Sequence, residues 1–340
     1  MTDEPKQEAQ QVAKAEPPSA PALHIAPGPH TFSTSLTTRR MMVDVLIALI
    51  PVLAVSFYVF RLYAAIQLVI CIVSALAAEA LFMAMRGKRA TLSDFSAVVT
   101  GAILALSLPA HAPWYVGAVG AFVAIGLGKV IFGGLGQNIF NPAMLGRAFA
   151  MIAFPAAVGA SAYVLKNCPI DGLTQATPLT ALKQLGQNTG LLPLFYGTTN
   201  GSLGETSALA CLLGGGYLCL RRTASWEIPA GVIAAVAVIG GLIQILHPGT
   251  GWTVLHELFG GALLFGAFYI ATDPVSSPLT PRGKFIFGVG IGALVMLIRK
   301  LSGYPEGVMF SVLIMNALVP LMNRWTIPSP VGGPVPVAKK

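Results

Sequence analysis

Apolar runs of about 20 residues, repeated along most of the chain, constrain what this sequence can fold into more than any other feature. A helix rising 1.5 Å per residue needs about 20 residues to cross a hydrocarbon core about 30 Å thick. Backbone in that core must satisfy its N–H and C=O groups within the segment. Only 10% of the 340 residues are charged and 55% are hydrophobic, whereas a soluble domain is about a quarter charged. The expected fold class is therefore an all-α integral membrane protein. Boundaries set by Pro, Gly and charge give about ten transmembrane helices, at residues 42–60, 63–85, 94–110, 114–134, 142–165, 207–220, 228–246, 253–271, 285–298 and 306–322.

Ten crossings put both termini on one side, and the Lys/Arg bias of the short loops says which. Arg39, Arg40, Arg86, Lys88, Arg89, Arg221, Arg222, Arg282, Lys284, Arg324, Lys339 and Lys340 fall on one face, which is expected to be cytoplasmic. Arg61, Lys166, Lys183, Arg299 and Lys300 fall on the other, so the polar stretch 166–206 is expected outside, periplasmic if the cell has that compartment. The net charge of +8 sits beside hydrophobic segments, with no basic, aromatic-laced face to hold phosphates. Lipid headgroups account for it, and no nucleic-acid partner is expected. Residues 1–40, rich in Pro, Gln and Ala, lack the apolar region of a signal peptide and read as a disordered cytoplasmic tail. The remaining divisions are a first five-helix repeat at 41–165, an extracytoplasmic loop at 166–206, a second five-helix repeat at 207–323 and a tail at 324–340. Cys71, Cys168, Cys211 and Cys219 show no CxxC spacing; those in apolar runs read as small hydrophobes.

The division into repeats rests on an internal echo. LSLPAHAPW leads through GAVGAFVAIGLGK to GGLGQNIFNP, and ATDPVSSPLTPRGK leads through GVGIGALVMLIRK to SGYPEG, matching Gly117 and Lys129 with Gly288 and Lys300. An odd number of spans separates the two units, so their Pro-broken connections face opposite sides, as inverted repeats do around a shared site. An ionised side chain at the bilayer centre costs about 2.5–3.5 kcal/mol on insertion scales, so buried acids invite a functional hypothesis. Glu79, inside the second span, and Asp273, in the second Pro-broken connection, are the candidates for an ion path. Asp94 and Asp273 serve equally well as helix caps. His111 reads as an interface residue.

Residues 171–182, DGLTQATPLTAL, place threonines beside an acid and a proline with no adjacent base or amine. A lone threonine hydroxyl is a poor nucleophile, so the segment reads as one that a second protein modifies. Pro178 favours an extended backbone at Thr177, which suits presentation. The segment resembles the flavinylation motif of the RnfD/NqrB family: Asp171, Thr174, Ala176 and Thr177 match, and Gln175 stands where the better-known form has Gly. GGLGQNIFNPAMLGRAFAMIAFP, ATDPVSSP and GYPEGVMFSVLIMNALVP are similar to other signature stretches of that family. The chain's length and short tail look more like the RnfD branch than the NqrB branch.

The resemblance implies a fold like that of urea and ammonium transporters, and an FMN that a flavin transferase links through a phosphoester to Thr177. It implies a membrane subunit, with no catalysis alone, of an Rnf-type complex passing electrons between ferredoxin and NAD and translocating Na+ or H+ across the bacterial inner membrane. Its partners would be subunits A, B, C, E and G. Asn138 and Asn141 stand in an Asn-x-x-Asn-Pro setting that belongs to a riboflavin site in the NqrB branch; by their own chemistry they either hold a second flavin or cap the fifth span. The rival readings are an NqrB-like subunit of a Na+-pumping NADH:quinone oxidoreductase, a solute channel without flavin, and a structural anchor.

Overall fold

The computed structural model describes residues 37–88, 92–159, 177–186, 188–246, 251–304 and 306–328. Every regular element among them is helical, apart from an isolated antiparallel bridge between Pro109 and Ser202. The expected tails lie mostly outside the described residues, as do Asp171, Thr174 and Ala176. Each of the ten apolar runs contains helix. Four helices are long and apolar enough to cross a membrane: α1 (Thr38–Phe60), α2 (Leu62–Met85), α10 (Glu227–Leu246) and α14 (Val308–Thr326). The others are α3 (Ser96–Ser107), α4 (Trp114–Ile125) with a π turn at Gly126–Val130, α5 (Pro142–Ala153), α6 (Pro155–Val158), α7 (Pro178–Thr180) with a π turn at Ala181–Leu185, α8 (Leu191–Tyr196), α9 (Ala208–Leu220), α11 (Val254–Phe259), α12 (Leu263–Phe265) with a π turn at Gly266–Ile270, and α13 (Pro281–Leu301).

Apolar side chains cover the outside of the bundle as well as its core. Ile50, Tyr58, Leu62, Val69 and Val73 on α1 and α2 are exposed, as are Leu242 and Ile245 on α10. A helix that is apolar all round has no water-facing side, so these faces meet lipid acyl chains. The chain is a multi-pass membrane protein. Close crossings replace hydrophobic drive between its helices. A Cβ on Gly231 would stand 2.6 Å from the Phe285 carbonyl, and one on Gly292 would stand 2.7 Å from that of Val232, which seats α10 against α13. Gly146 on α5 lies against the Gly120 carbonyl of α4, and Gly214 on α9 lies against the Ala48 carbonyl of α1.

The two halves pack alike: α2 contacts α3 and α4, and α4 contacts α5; α10 contacts α11 and α13, and α13 contacts α14. The halves meet at α1 with α9 and at α5 with α14.

Two runs depart from the expected spans. The fifth, expected to reach residue 165, ends its main helix at Ala153, because Pro155 lacks an N–H and pushes Phe154 out of helical geometry (φ −131°, ψ 59°). The eighth is broken at residues 260–262, where Gly261 has φ +69°, a conformation that glycine adopts without steric cost. Leu179 packs into that break, since a Cβ on Gly261 would lie 2.7 Å from its Cδ1. A third irregular segment, residues 201–206, is largely buried although it forms no helix. It extends the end of α3: Gly204 N donates to Leu106 O at 2.7 Å, Leu203 N to Leu108 O at 3.2 Å, and Ser56 Oγ to Leu203 O at 2.7 Å. Buried irregular backbone needs partners for its polar groups, and here the end of α3 and Ser56 of α1 supply them.

Candidate functional site: two cavities along one helix

The breaks open two cavities. The first encloses about 790 Å³, part of it open to solvent, and is lined by Arg147, Met151, Thr177, Asn200, Glu205, Glu306 and others. Thr177 sits at its edge and caps the segment that begins at Pro178: Thr180 N donates to Thr177 Oγ1 at 3.3 Å, and the two Oγ1 atoms lie 2.7 Å apart. Pro178 at the first helical position fits this start, because its missing N–H would have no intrahelical partner. Three contacts fix the segment in place. Leu179 fills the Gly260–Gly261 break, Thr180 is buried, and Lys183 Nζ donates to Arg299 O at 3.1 Å, to Tyr304 O at 3.0 Å and to Ser302 O. The lysine thereby caps the C-terminal end of α13, where a cation also complements the helix dipole.

Arg147, on α5, forms the polar floor. Its Nη2 lies 3.7 Å from Glu205 Oε1 and 3.7 Å from Glu306 Oε2. Ser202 Oγ donates to Glu205 Oε1, and the Ala262 N–H donates to Glu306 Oε1. Tyr304 and Phe310 form one wall, their ring centroids 5.5 Å apart.

The second cavity, about 780 Å³ with part of it open to solvent, lies at the other end of α5 and is more apolar; its polar lining includes Lys129, Asn138, Asn141, Tyr269, Thr272 and Asp273. Asn141 caps α5 by accepting from Met144 N at 3.2 Å, and its Nδ2 donates to Ile270 O at 3.2 Å, a carbonyl at the end of a π turn. Its own N–H donates to Asn316 Oδ1 of α14 at 3.2 Å, and Asn316 Nδ2 donates to Ser276 O at 2.8 Å. The capping role of Asn141 is thus observed, and the same residue lines a cavity. Asn138 is buried beside it and donates to Phe140 O at 3.2 Å and to Asp273. Asp273 orders its turn, accepting from Val275 N at 3.1 Å and Ser276 Oγ at 2.9 Å; burial raises its carboxyl above the usual range. Asp94 precedes the Phe95 cap position of α3 and accepts from Ser96 N at 2.9 Å and Ser96 Oγ at 2.7 Å.

Glu79 is buried in an ion pair with a lysine that lines the second cavity. Its Oε1 lies 2.7 Å from Lys129 Nζ, whose ammonium also donates to Ser96 Oγ at 2.6 Å. Lys129 stands on the π turn that ends α4, an irregularity that re-aims side chains and recurs at functional sites.

Sequence reasoning singled out Thr177, Asn138, Asn141, Glu79 and Asp273. The structure brings Asn138, Asn141 and Asp273 to one cavity, puts Thr177 at the other, and buries Glu79 in an ion pair. It adds Arg147, Lys129, Lys183 and Glu205. The first two had a signal, because each is a charge inside an apolar run and such charges are functional by default. Glu205 and Lys183 had none beyond their place in a polar loop.

Comparison with known proteins places the chain in a family. The NQR2, RnfD, RnfE family matches residues 24–332. The chain is 41% identical over 308 residues to the D subunit of the Na(+)-translocating ferredoxin:NAD(+) oxidoreductase complex of Acetobacterium woodii, covering 89% of this chain and 93% of that one. It is 40% identical to the D subunit of the ion-translocating oxidoreductase complex of Stutzerimonas stutzeri, covering 86% and 92%. It is 39% identical to the D subunit of the proton-translocating ferredoxin:NAD(+) oxidoreductase complex of Clostridium ljungdahlii, covering 87% and 92%. With nearly its whole length matched, this chain belongs to the NQR2, RnfD, RnfE family.

Proposed function

We propose that this chain is the RnfD-type subunit of an ion-translocating ferredoxin:NAD oxidoreductase, carrying FMN as a phosphoester on Thr177 and coupling electron transfer to movement of Na+ or H+. The relatives' names support the complex. The observation that carries the flavin is the position of Thr177, a helix cap on a three-point docked segment at the edge of a cavity with an arginine at its floor.

The residues fit the group. Arg147 lines the cavity with its guanidinium shared between Glu205 and Glu306, and Asn200 and Tyr304 add an amide and a hydroxyl that can donate to phosphate oxygens. Tyr304 and Phe310 offer a wall for a planar ring system. Thr180, buried behind Thr177, becomes the donor of the 2.7 Å contact once the Thr177 oxygen is esterified, because an ester oxygen keeps its lone pairs and loses its proton. An isoalloxazine carries the electrons when bound; the chain positions it, shields it and sets its electrostatic surroundings.

In this reading the ten helical runs cross the inner membrane as two inverted five-helix repeats, 41–165 and 207–323, with the 166–206 loop outside and both termini in the cytoplasm. The alike packing of the two halves and the placement of the two cavities at opposite ends of α5 support it. The Asn138/Asn141 cavity suits a second, non-covalent flavin such as riboflavin, since its polar lining includes amides and hydroxyls around an apolar volume. Asp273 in that cavity, with Glu79 behind Lys129, lies on the proposed ion path. The partners are the remaining Rnf subunits, A, B, C, E and G, the flavin transferase and the lipid bilayer.

The test is ultraviolet fluorescence of the denatured polypeptide after coexpression with a flavin transferase. A bright band that vanishes in Thr177→Val is the expected result. A dark wild-type band refutes the tethered flavin. A cysteine placed beside Thr177 is expected to react with an impermeant reagent on intact cells, and labelling confined to inverted vesicles would reverse the orientation.

A further inference from the structure

Arg147 is shared between two acids. One guanidinium faces two carboxylates, Glu205 and Glu306, each 3.7 Å from Nη2, and the three side chains are largely buried. The two carboxyl groups converge on that one nitrogen. Two ionised carboxylates so placed repel each other, and one proton held on either of them removes the repulsion. We propose that Glu205 and Glu306 form a carboxyl pair that holds one exchangeable proton at the floor of the Thr177 cavity and releases it toward the side on which that cavity opens.

The surroundings say which oxygen carries it. Glu306 accepts the Ala262 N–H and has the Arg299 guanidinium close by, since a Cβ on Gly261 would touch both. Arg299 is itself bound to Glu257 Oε2 at 3.2 Å and to the Gly260 carbonyl at 2.7 Å, and Lys300 holds the other Glu257 oxygen at 2.7 Å. The Ala262 N–H and the Arg299 guanidinium thus both turn positive charge toward Glu306. Glu205 has Ser202, Arg147 and, from α9, the Cys211 thiol, a weak partner that turns its hydrogen to the Gly204 carbonyl at 3.6 Å. The proton therefore sits on Glu205, with Glu306 as its acceptor. Burial pushes the Glu205 carboxyl up to about 8, and the adjacent Glu306 carboxylate is the next cause. The Asn200 amide and Tyr304 complete the polar and aromatic lining on the cavity side.

This site does not depend on the flavin, and its test separates the two. The full-length chain in lipid nanodiscs is titrated by infrared spectroscopy, following the C=O stretch of a protonated carboxyl in the wild type minus Glu205→Gln difference. The expected result is a band present at neutral pH that disappears with a midpoint near 8. Glu306→Gln is expected to lower that midpoint by about one pH unit or more, because Arg147 is then left to Glu205 alone. Glu205→Asp, which keeps a carboxyl, retains a band and guards against a folding defect. No difference band at neutral pH, or a midpoint that Glu306→Gln leaves in place, overturns the proposal. So does a band that Na+ removes at fixed pH while K+ does not, which would make the site a sodium site. Thr177→Val is expected to keep the band; its loss there would assign the proton to a group on Thr177. A wild type that shows the band without fluorescence refutes only the flavin.

Discussion

Replacing Lys129 by Met tests whether the buried Glu79–Lys129 contact holds the fold or serves transport. The pair is 2.7 Å apart, with side chains 1% and 3% exposed. At an effective dielectric of about 20 the gross attraction at that distance is about 6 kcal/mol. Desolvation offsets much of it, and removing one partner of such a pair costs about 3–5 kcal/mol. A carboxylate left without its lysine can also neutralise itself, and protonating an ordinary glutamate at pH 7 costs about 4 kcal/mol from its reference pKa of about 4.3. The two figures agree, so Lys129→Met is expected to lose about 3–4 kcal/mol at pH 7. Lys129→Met with Glu79→Gln should recover about 2 kcal/mol or more relative to the sum of the single changes. The assay is reversible unfolding in mixed micelles at several pH values, with all four members of the cycle. Additive losses under about 1 kcal/mol each would refute the reasoning and make Glu79 a mobile charge again.

Three other perturbations follow from the same geometry. Gly288→Leu inserts a side chain where the Ile228 carbonyl and Gly231 Cα stand, so it is expected to splay α10 from α13 and broaden the size-exclusion profile in detergent. Lys183→Met removes the donor to the Arg299 and Tyr304 carbonyls, and a spin label at position 181 is expected to gain mobility while one on α14 does not. Glu205 fixes a pH slope: with a folded value near 8 against an ordinary 4.5, the folded chain binds the extra proton between those values. Stability from this group is therefore greatest below about 4.5, falls as pH rises toward 8 and is flat beyond. In Glu205→Gln that slope is expected to disappear from the pH series of thermal midpoints.

Apolar length makes the helices legible, because each run needed only hydropathy and a terminating Pro, Gly or charge to be located. The start of α5 was legible for a local reason too, since Asn141 and Pro142 are adjacent and their capping chemistry needs no distant partner. What escaped were features set by contacts across the chain. Glu205 reads as a loop acid until the 201–206 segment is seen hydrogen-bonded to the end of α3, about a hundred residues earlier. Lys129 reads as the polar end of a span until Glu79, 50 positions away, is placed beside it. The break at residues 260–262 was hidden because two glycines and an alanine inside an apolar run leave the hydropathy pattern intact, while the backbone geometry depends on Leu179 filling the gap.

The two cavities differ in a way that follows from how their helices begin. A helix that starts inside a membrane protein must have its first N–H groups satisfied locally, and α5 does this with a neutral amide, Asn141. The opposed helix α14 starts beside a carboxylate, Glu306, which accepts from the broken eighth run. Each helix then carries a side chain toward the other's start: Arg147 of α5 reaches Glu306, and Asn316 of α14 reaches the backbone of Asn141. A charged start therefore met a charged side chain, and a neutral start met a neutral one, since an unmatched charge at either place would carry an uncompensated desolvation cost. On the proposed function the ligands would divide along the same line: the phosphoester in the cavity of Arg147, and a flavin without phosphate beside the amides of Asn138 and Asn141. Exchanging the two side chains, by Arg147→Asn together with Asn316→Arg, is expected to loosen the α5–α14 contact at both ends, because Glu306 loses a guanidinium and a new charge stands at the neutral start of α5. A thermal midpoint in detergent equal to that of the wild type would show that charge matching does not decide how these helix starts pair.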